Sequence, residues 1–411
     1  MHIAYITHEY PPDTGKGGIA TYTKQMAGIM KDLGHEVEVF CASFDREESE
    51  SWNGILTHRI RISEIKDFRQ SVLSTFSSRH TERPFDLLEC PELGGEAEYI
   101  KQKYPDLPLV VRLHTPAVLV TRLQNSYLPV SAKLRFILGS LRRGKIDFGT
   151  WSRHDKNQYS DPDYLITTRA EKIIAPSQAM KSWAFRFWKI PLQKIEVIPN
   201  PFETDPELLN IPAETQSKYI TFLGRLNVLK GLVALTHALP FVLDKNPEWK
   251  IRFIGNDERS HKEGLSMKEW IESKLSFYHE RIEFIDWIGR EELPVYLKKT
   301  DIVVIPSLFE SFSYVCAEAM SAARGIVGSK NGGMKELLGN TGIVINPESP
   351  RKIGDSLNHL IANPEERINR GKEARSRILD QYNGYRIGRQ VMKVYHDITS
   401  STSVDKDPKY K

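Results

Sequence analysis

The chain has 411 residues, 40% hydrophobic and 27% charged, and its 57 Lys plus Arg against 53 Asp plus Glu leave a net charge of +4. That is an ordinary globular composition, long enough for two or three domains, and so slight a positive balance argues against a nucleic-acid partner. No apolar run reaches bilayer-spanning length. Cys41, Cys90 and Cys316 lie far apart among apolar neighbours, which reads as reduced, buried thiols and not as a zinc site.

Met1–Ile6 lacks the charged and long apolar regions of a signal peptide and reads as a first strand. A loop with Gly15, Gly17 and Gly18 follows it, then a helix pattern from Ile19 to about Leu33 with Gly34 at its end, and a strand at 37–40. The glycines let backbone N–H groups approach a ligand, although their spacing is not the dinucleotide fingerprint. Residues 45–83 are polar and poorly periodic, with short strands expected around 57–61. Strands are expected at 85–89 and 109–113, the latter ending in His114. A His at the carboxyl end of a parallel strand faces the ligand crevice, where it acts as a hydrogen-bond donor or in proton transfer.

Between Leu107 and Ile146 there is no acidic residue, while Arg112, Arg122, Lys133, Arg135, Arg142, Arg143 and Lys145 fall in the span. Between Ser131 and Leu141 the apolar residues Leu134, Phe136, Ile137, Leu138 and Leu141 recur roughly at helical spacing. This is a basic amphipathic helix, expected either to pack on its own domain or to touch an anionic membrane through 131–145. Strands follow at 172–175 and 195–198, with Ser177 as a helix N-cap between them. Pro199-Asn200-Pro201 breaks the pattern, and a linker is placed at about 199–217.

A second strand–helix series begins at Tyr219–Leu223. Gly224, Arg225 and Lys230 bracket the next helix start, so two cations and a helix dipole converge with no nearby acid in the sequence, which suits a diphosphate. Strands recur at 250–254, 281–285, 301–305, 325–328 and 342–345, and Asn331-Gly332-Gly333 opens one of the intervening helices. Helices at about 350–362, 365–381 and 385–398 precede a polar tail. After Ile302–Ile305 the turn holds Glu310, Ser311 and Ser313, and Glu318 falls one to two turns into the following helix, placed for a ribose diol.

The ordered set — glycine loop, His114, Ile198-Pro199-Asn200-Pro201, Gly224-Arg225 with Lys230, then Glu310 with Glu318 — resembles the family 4 retaining glycosyltransferases of GT-B architecture over nearly the whole chain. The resemblance implies an α/β fold of two Rossmann-like, doubly wound domains facing a cleft, with a C-terminal helix crossing back to the first. The domains would be 1–199 for the acceptor, 200–384 for the nucleotide sugar, and 385–411 for the crossover helix and a frayed tail. By the family pattern His114, Glu310, Arg225 and Lys230 serve the reaction. Gly17, Gly18, Asn200, Gly224, Ile288, Ser311, Phe312, Ser313, Tyr314, Val315 and Glu318 bind the donor. No cofactor and no metal are implied, since no Asp-x-Asp cluster falls at the expected cleft. The expected partners are a UDP- or GDP-sugar and a glycan or lipid-linked acceptor, in the cytoplasm or at the inner membrane face, for surface polysaccharide synthesis. A sugar-nucleotide epimerase and a non-catalytic sensor remain as alternatives. One departure stands out: the family usually has Gly where this chain has Ser313, which leaves the identity of the donor sugar open. A lesser one is Glu203, where an Asp is common.

Overall fold

The computed structural model describes residues 1–15, 17–128, 130–144 and 160–404. Lys16 of the glycine loop, Lys145 of the basic span and 405–411 of the expected tail lie outside them. The first half runs β1 (His2–Thr7), α1 (Gly18–Asp32), β2 (Glu36–Ser43), β3 (Glu48–Trp52), β4 (Ile55–Arg61), α2 (Phe68–Glu82), β5 (Leu87–Pro91), α3 (Glu98–Lys103), β6 (Leu109–Arg112), α4 (Ala117–Ser126), α5 (Val130–Arg142), α6 (Pro162–Arg169), β7 (Lys172–Ala175), α7 (Gln178–Trp188) and β8 (Ile195–Val197). The second runs α8 (Pro206–Leu209), β9 (Tyr219–Leu223), α9 (Leu232–Lys245), β10 (Lys250–Ile254), α10 (Met267–Lys274), β11 (Ile282–Ile285), α11 (Leu293–Lys298), β12 (Ile302–Ile305), α12 (Tyr314–Ser321), β13 (Gly325–Ser329), α13 (Met334–Leu338), β14 (Ile343–Ile345), α14 (Pro350–Ala362), α15 (Pro364–Gln381) and α16 (Gly384–Val404).

Two compact units result. Among the described residues, one holds 1–117, 160–203 and 382–404, and the other holds 118–144 and 204–381. The helices α4 (from Val118 onward) and α5, although encoded in the first half, therefore pack with the second unit.

The first unit is built on a sheet of order β3-β4-β2-β1-β5-β6-β7-β8, parallel except for the β3/β4 pair. Its central strands are buried along their whole length, as two-sided parallel strands must be. The polar stretch 45–83 hides two elements that periodicity did not disclose. β3 is a polar edge strand, and α2 buries only Phe68, Val72 and Phe76, at i, i+4 and i+8. α16 returns to this unit as expected, and Tyr395 Oη lies 3.1 Å from Tyr5 Oη of β1. Ser177 caps α7 by accepting from the Met180 N–H at 3.2 Å, as its position in the sequence predicts.

The second sheet is all parallel, in the order β11-β10-β9-β12-β13-β14. Numbered from β9, that is the 3-2-1-4-5-6 order of a doubly wound sheet. Its direction of winding reverses between β9 and β12, where such sheets hold ligands beyond the strands' carboxyl ends. Ile220, Phe222, Ile251, Phe253, Ile302 and Val304 supply the core under α9 and α14.

Candidate functional site

The two strands that flank the switch point of the second sheet carry the predicted diphosphate residues. Gly224 (φ +136°) turns the chain out of β9. Asn227 accepts from the Lys230 N–H at 3.1 Å and shapes the short turn that precedes α9. Gly231 then takes φ +73°, and a Cβ there would fall 1.8 Å from the carbonyl oxygen of Pro306. Only glycine permits both the left-handed backbone and this contact, so the β9 and β12 loops touch. The β12 loop is gripped from its other side as well. Gly332, at φ +73°, would place a Cβ 2.0 Å from the Glu310 carbonyl oxygen, which also accepts the Gly333 N–H at 2.6 Å.

Three strand exits thereby converge on Glu310. Lys230 Nζ donates to Glu310 Oε1 at 2.6 Å, with both side chains largely shielded. Arg225 is more open, and its Nη1 donates to Glu258 Oε1 at 3.2 Å. The expectation that no acid stands near these cations is therefore corrected. Parallel pairing sets the carboxyl ends of β9, β10 and β12 side by side, so Glu258 and Glu310, 33 and 80 residues away in sequence, arrive at the two cations. Each carboxylate holds its partner in a preset direction and lowers the net positive charge of the pair.

Ser311 and Phe312 are buried before α12 begins at Tyr314. Ser313 is its N-cap, at φ −111°, and its Oγ accepts the Cys316 N–H at 3.3 Å. A negative φ is open to any residue, so serine keeps the turn that glycine makes in the family, and its hydroxyl serves the helix. Val315 occupies the first turn and Glu318 the second. Burial raises the Glu318 carboxyl to about 7, against a smaller lowering by Arg290. Arg290 Nε lies 3.6 Å from Glu318 Oε1, so the segment after β11 that contains half-buried Ile288 reaches the residue assigned to the ribose.

In the first unit the switch point falls between β1 and β5. Gly17 caps α1, Gly18 begins it, and the Glu9 carboxylate lies where a Gly17 side chain would stand. His8 is clasped by the buried Glu96. Burial by itself would lower the His8 pKa, but the hydrogen bond and charge of Glu96, then Glu9, raise it overall. His114 lies two residues beyond the carboxyl end of β6, and its backbone N–H is held by both oxygens of buried Glu92 at 3.0 and 2.8 Å. Burial, with Arg112 adding to it, lowers the imidazole to about 3. Near neutrality it is therefore an uncharged hydrogen-bonding group. Asn200 is buried, and its Oδ1 accepts from Arg112 Nη2 at 2.6 Å, so that oxygen positions the strand that bears His114.

Asp161 caps α6, and Asp163 accepts from the Gly94 and Ala117 N–H groups at 2.7 and 2.9 Å. Glu258 and the His8–Glu96 pair went unread in the sequence. The cue for Glu258 was present, since Ile254-Gly255-Asn256 repeats the strand–glycine exit of Leu223-Gly224-Arg225.

Two doubly wound units in one chain are the architecture of the GT-B glycosyltransferases. Residues 16–206 match the model described as Glycosyltransferase Family 4, and residues 217–363 match Glycosyl transferases group 1. The chain belongs to the family 4 glycosyltransferases. An uncharacterized glycosyltransferase of Methanocaldococcus jannaschii is 26% identical over 96% of this chain and 98% of its own length. The D-inositol 3-phosphate glycosyltransferase of Corynebacterium glutamicum is 28% identical over about half of each chain, 48% and 47%. Sucrose-phosphate synthase from Thermosynechococcus elongatus has the same fold, with a TM-score of 0.74 at 18% identity, covering 98% of this chain and 100% of that one. Anabaena HepE, solved in complex with UDP, superposes with a TM-score of 0.67 at 16% identity over 97% and 100%. Among the described residues no helix is long and apolar enough to cross a membrane.

Proposed function

We propose that the protein is a retaining, metal-independent transferase that moves a hexose-type sugar from UDP or GDP to a glycan or lipid-linked acceptor in surface polysaccharide synthesis. The observation that carries this reading is the Lys230–Glu310 pair where the β9 and β12 loops touch, with Arg225 on the same β9 exit. In the proposed reaction the bond from the anomeric carbon to the diphosphate oxygen breaks. The acceptor oxygen bonds to that carbon from the same face, and its proton passes to a departing phosphate oxygen. Arg225, Lys230 and the start of α12 take up the charge that develops on the diphosphate, and removing one such group costs about 3 kcal/mol of barrier. Glu318 accepts from the ribose hydroxyls, Ile288 lies at the base, and Gly17, Gly18 and the Ser311–Val315 turn approach the phosphates and sugar. His114, uncharged, donates to a sugar hydroxyl.

The α5 helix supports the peripheral-membrane part of the reading. Val130, Leu134, Leu138 and Leu141 form an exposed stripe at 70%, 54%, 58% and 50% accessibility, with Arg142 beside it. Such a face suits an anionic bilayer surface, on the cytoplasmic side where sugar nucleotides are made. Failure to sediment with anionic liposomes at low salt would remove this part alone.

The transfer reading is tested by thermal shift with UDP-glucose, UDP-galactose, UDP-N-acetylglucosamine and GDP-mannose. At least one should raise the melting temperature by mass action, and Lys230→Ala should abolish the shift. Equal stabilisation of the variant would show that the diphosphate lies elsewhere.

A further inference from the structure

A cavity of about 700 Å³ opens within the second unit, beside the Arg225–Lys230 loop. Its volume is that of a small-molecule site. Two of its walls are the loops that leave β9, at Asn227 and Val228, and β10, at 258–263. It therefore lies at the carboxyl ends of the strands, where parallel sheets take their ligands. The third wall is supplied by the end of α4, by Tyr127 and by Arg135 of α5. Tyr127 packs against the core of this unit, and Arg135 Nη2 reaches within 3.6 Å of Glu263 Oε2, so α5 is joined to the β10 loop.

The chemistry of the lining narrows the ligand. Its charges cancel, with Arg135 and Arg259 against Glu258 and Glu263. Glu258 is already engaged, accepting from Arg225 Nη1 at 3.2 Å and from Asn227 Nδ2 at 2.7 Å. Neither a strong anion nor a cation is favoured in such a place. What remains is the exposed amide of Gln124, which donates and accepts together, the aliphatic side chains of Leu128 and Val228, and the rings of Tyr127 and His261. The His261 ring is held edge-on to buried Trp270 at 4.8 Å, so its position is set by the core. An amide beside rings and aliphatic faces, without net charge, matches the alternating hydroxyls and C–H faces of a neutral sugar.

We propose that this cavity is a carbohydrate subsite that holds a neutral saccharide of the acceptor next to the diphosphate loop. The proposal rests on the transfer reading above, and it places part of the acceptor on the second unit, where the family resemblance puts most of it on the first. Glu258 links the two places, since it lines the cavity and steers Arg225.

The test is saturation-transfer difference NMR on the full chain with methyl α-glucoside, methyl α-galactoside, methyl α-mannoside, maltose and lactose, without nucleotide. At least one probe should receive saturation. Gln124→Trp, at an exposed helix position that lines the cavity, should weaken that binding about tenfold or more, while leaving unchanged the melting temperature and the thermal shift by the sugar nucleotide. Tyr127→Ala should weaken the same probe and supplies a second variant. No signal from any probe, or equal signals from wild type and a folded Gln124→Trp, overturns the proposal. If no sugar nucleotide stabilises the wild type while the saccharide signal is present and lost in Gln124→Trp, the transfer reading falls and the saccharide pocket stands.

Discussion

Glu318 makes donor binding depend on pH. Its carboxyl is only 12% exposed, and burial moves it from an ordinary 4.5 to about 7, with Arg290 opposing. A ribose diol donates to the carboxylate and not to the acid, so the binding form is the ionised one. With a pKa of about 7, roughly one tenth of the free protein is in that form at pH 6 and roughly nine tenths at pH 8. Affinity should therefore rise about tenfold between pH 6 and pH 8, equivalent to about 1.4 kcal/mol. Titration calorimetry with a sugar nucleotide suits the measurement, because its two phosphates do not titrate in this range. Repeating it in buffers of different ionisation heat should reveal net proton release near pH 6.5. Glu318→Gln should bind weakly and without this slope, and Arg290→Ala should move the rise to higher pH. The free protein should show the opposite trend. A carboxyl raised by burial contributes stability that is full below about 4.5 and is lost as pH rises through about 7, in total about 3 kcal/mol. Affinity that is flat from pH 6 to pH 8, with no proton exchanged, would refute the placement of the ribose on Glu318.

Three further outcomes are expected. Gly231→Ala must place a Cβ 1.8 Å from the Pro306 carbonyl at φ +73°; strain and overpacking together should cost about 2–5 kcal/mol, seen as a lower melting temperature and loss of nucleotide stabilisation. Ser313→Ala should lose the N-cap and about 1 kcal/mol, whereas Ser313→Gly should lose only a few tenths; chemical denaturation separates the two, and equal effects would mean that the Cys316 hydrogen bond is unimportant. Asn200→Ala should destabilise the first unit by about 2 kcal/mol, because buried Arg112 keeps only the Ile198 carbonyl among its bonds to that segment; an unchanged denaturation midpoint would return Asn200 to a purely ligand-binding role.

The sequence by itself determined the two strand–helix series and most of their members. Buried parallel strands must be short, β-branched and apolar, and Ile302–Ile305 and Leu109–Val111 announce themselves in that way. It also determined the glycine exits, the Ser177 cap, and the positions of Arg225, Lys230, Glu310 and Glu318, because each sits at a strand end or helix start that local pattern locates. It could not disclose β3, a polar edge strand, or α2, whose three buried residues are diluted among polar ones. Tertiary structure alone decided the electrostatics of the site. Strand order sets which exits are neighbours, so only the 3-2-1-4-5-6 arrangement brings Glu258 to Arg225 and Glu310 to Lys230. Burial, which depends on every packed element at once, made His114 neutral and pushed Glu318 toward 7. Charge and hydrogen-bonding capacity are properties of a residue, but pairing and pKa are properties of its surroundings, and those are assembled from segments far apart along the chain.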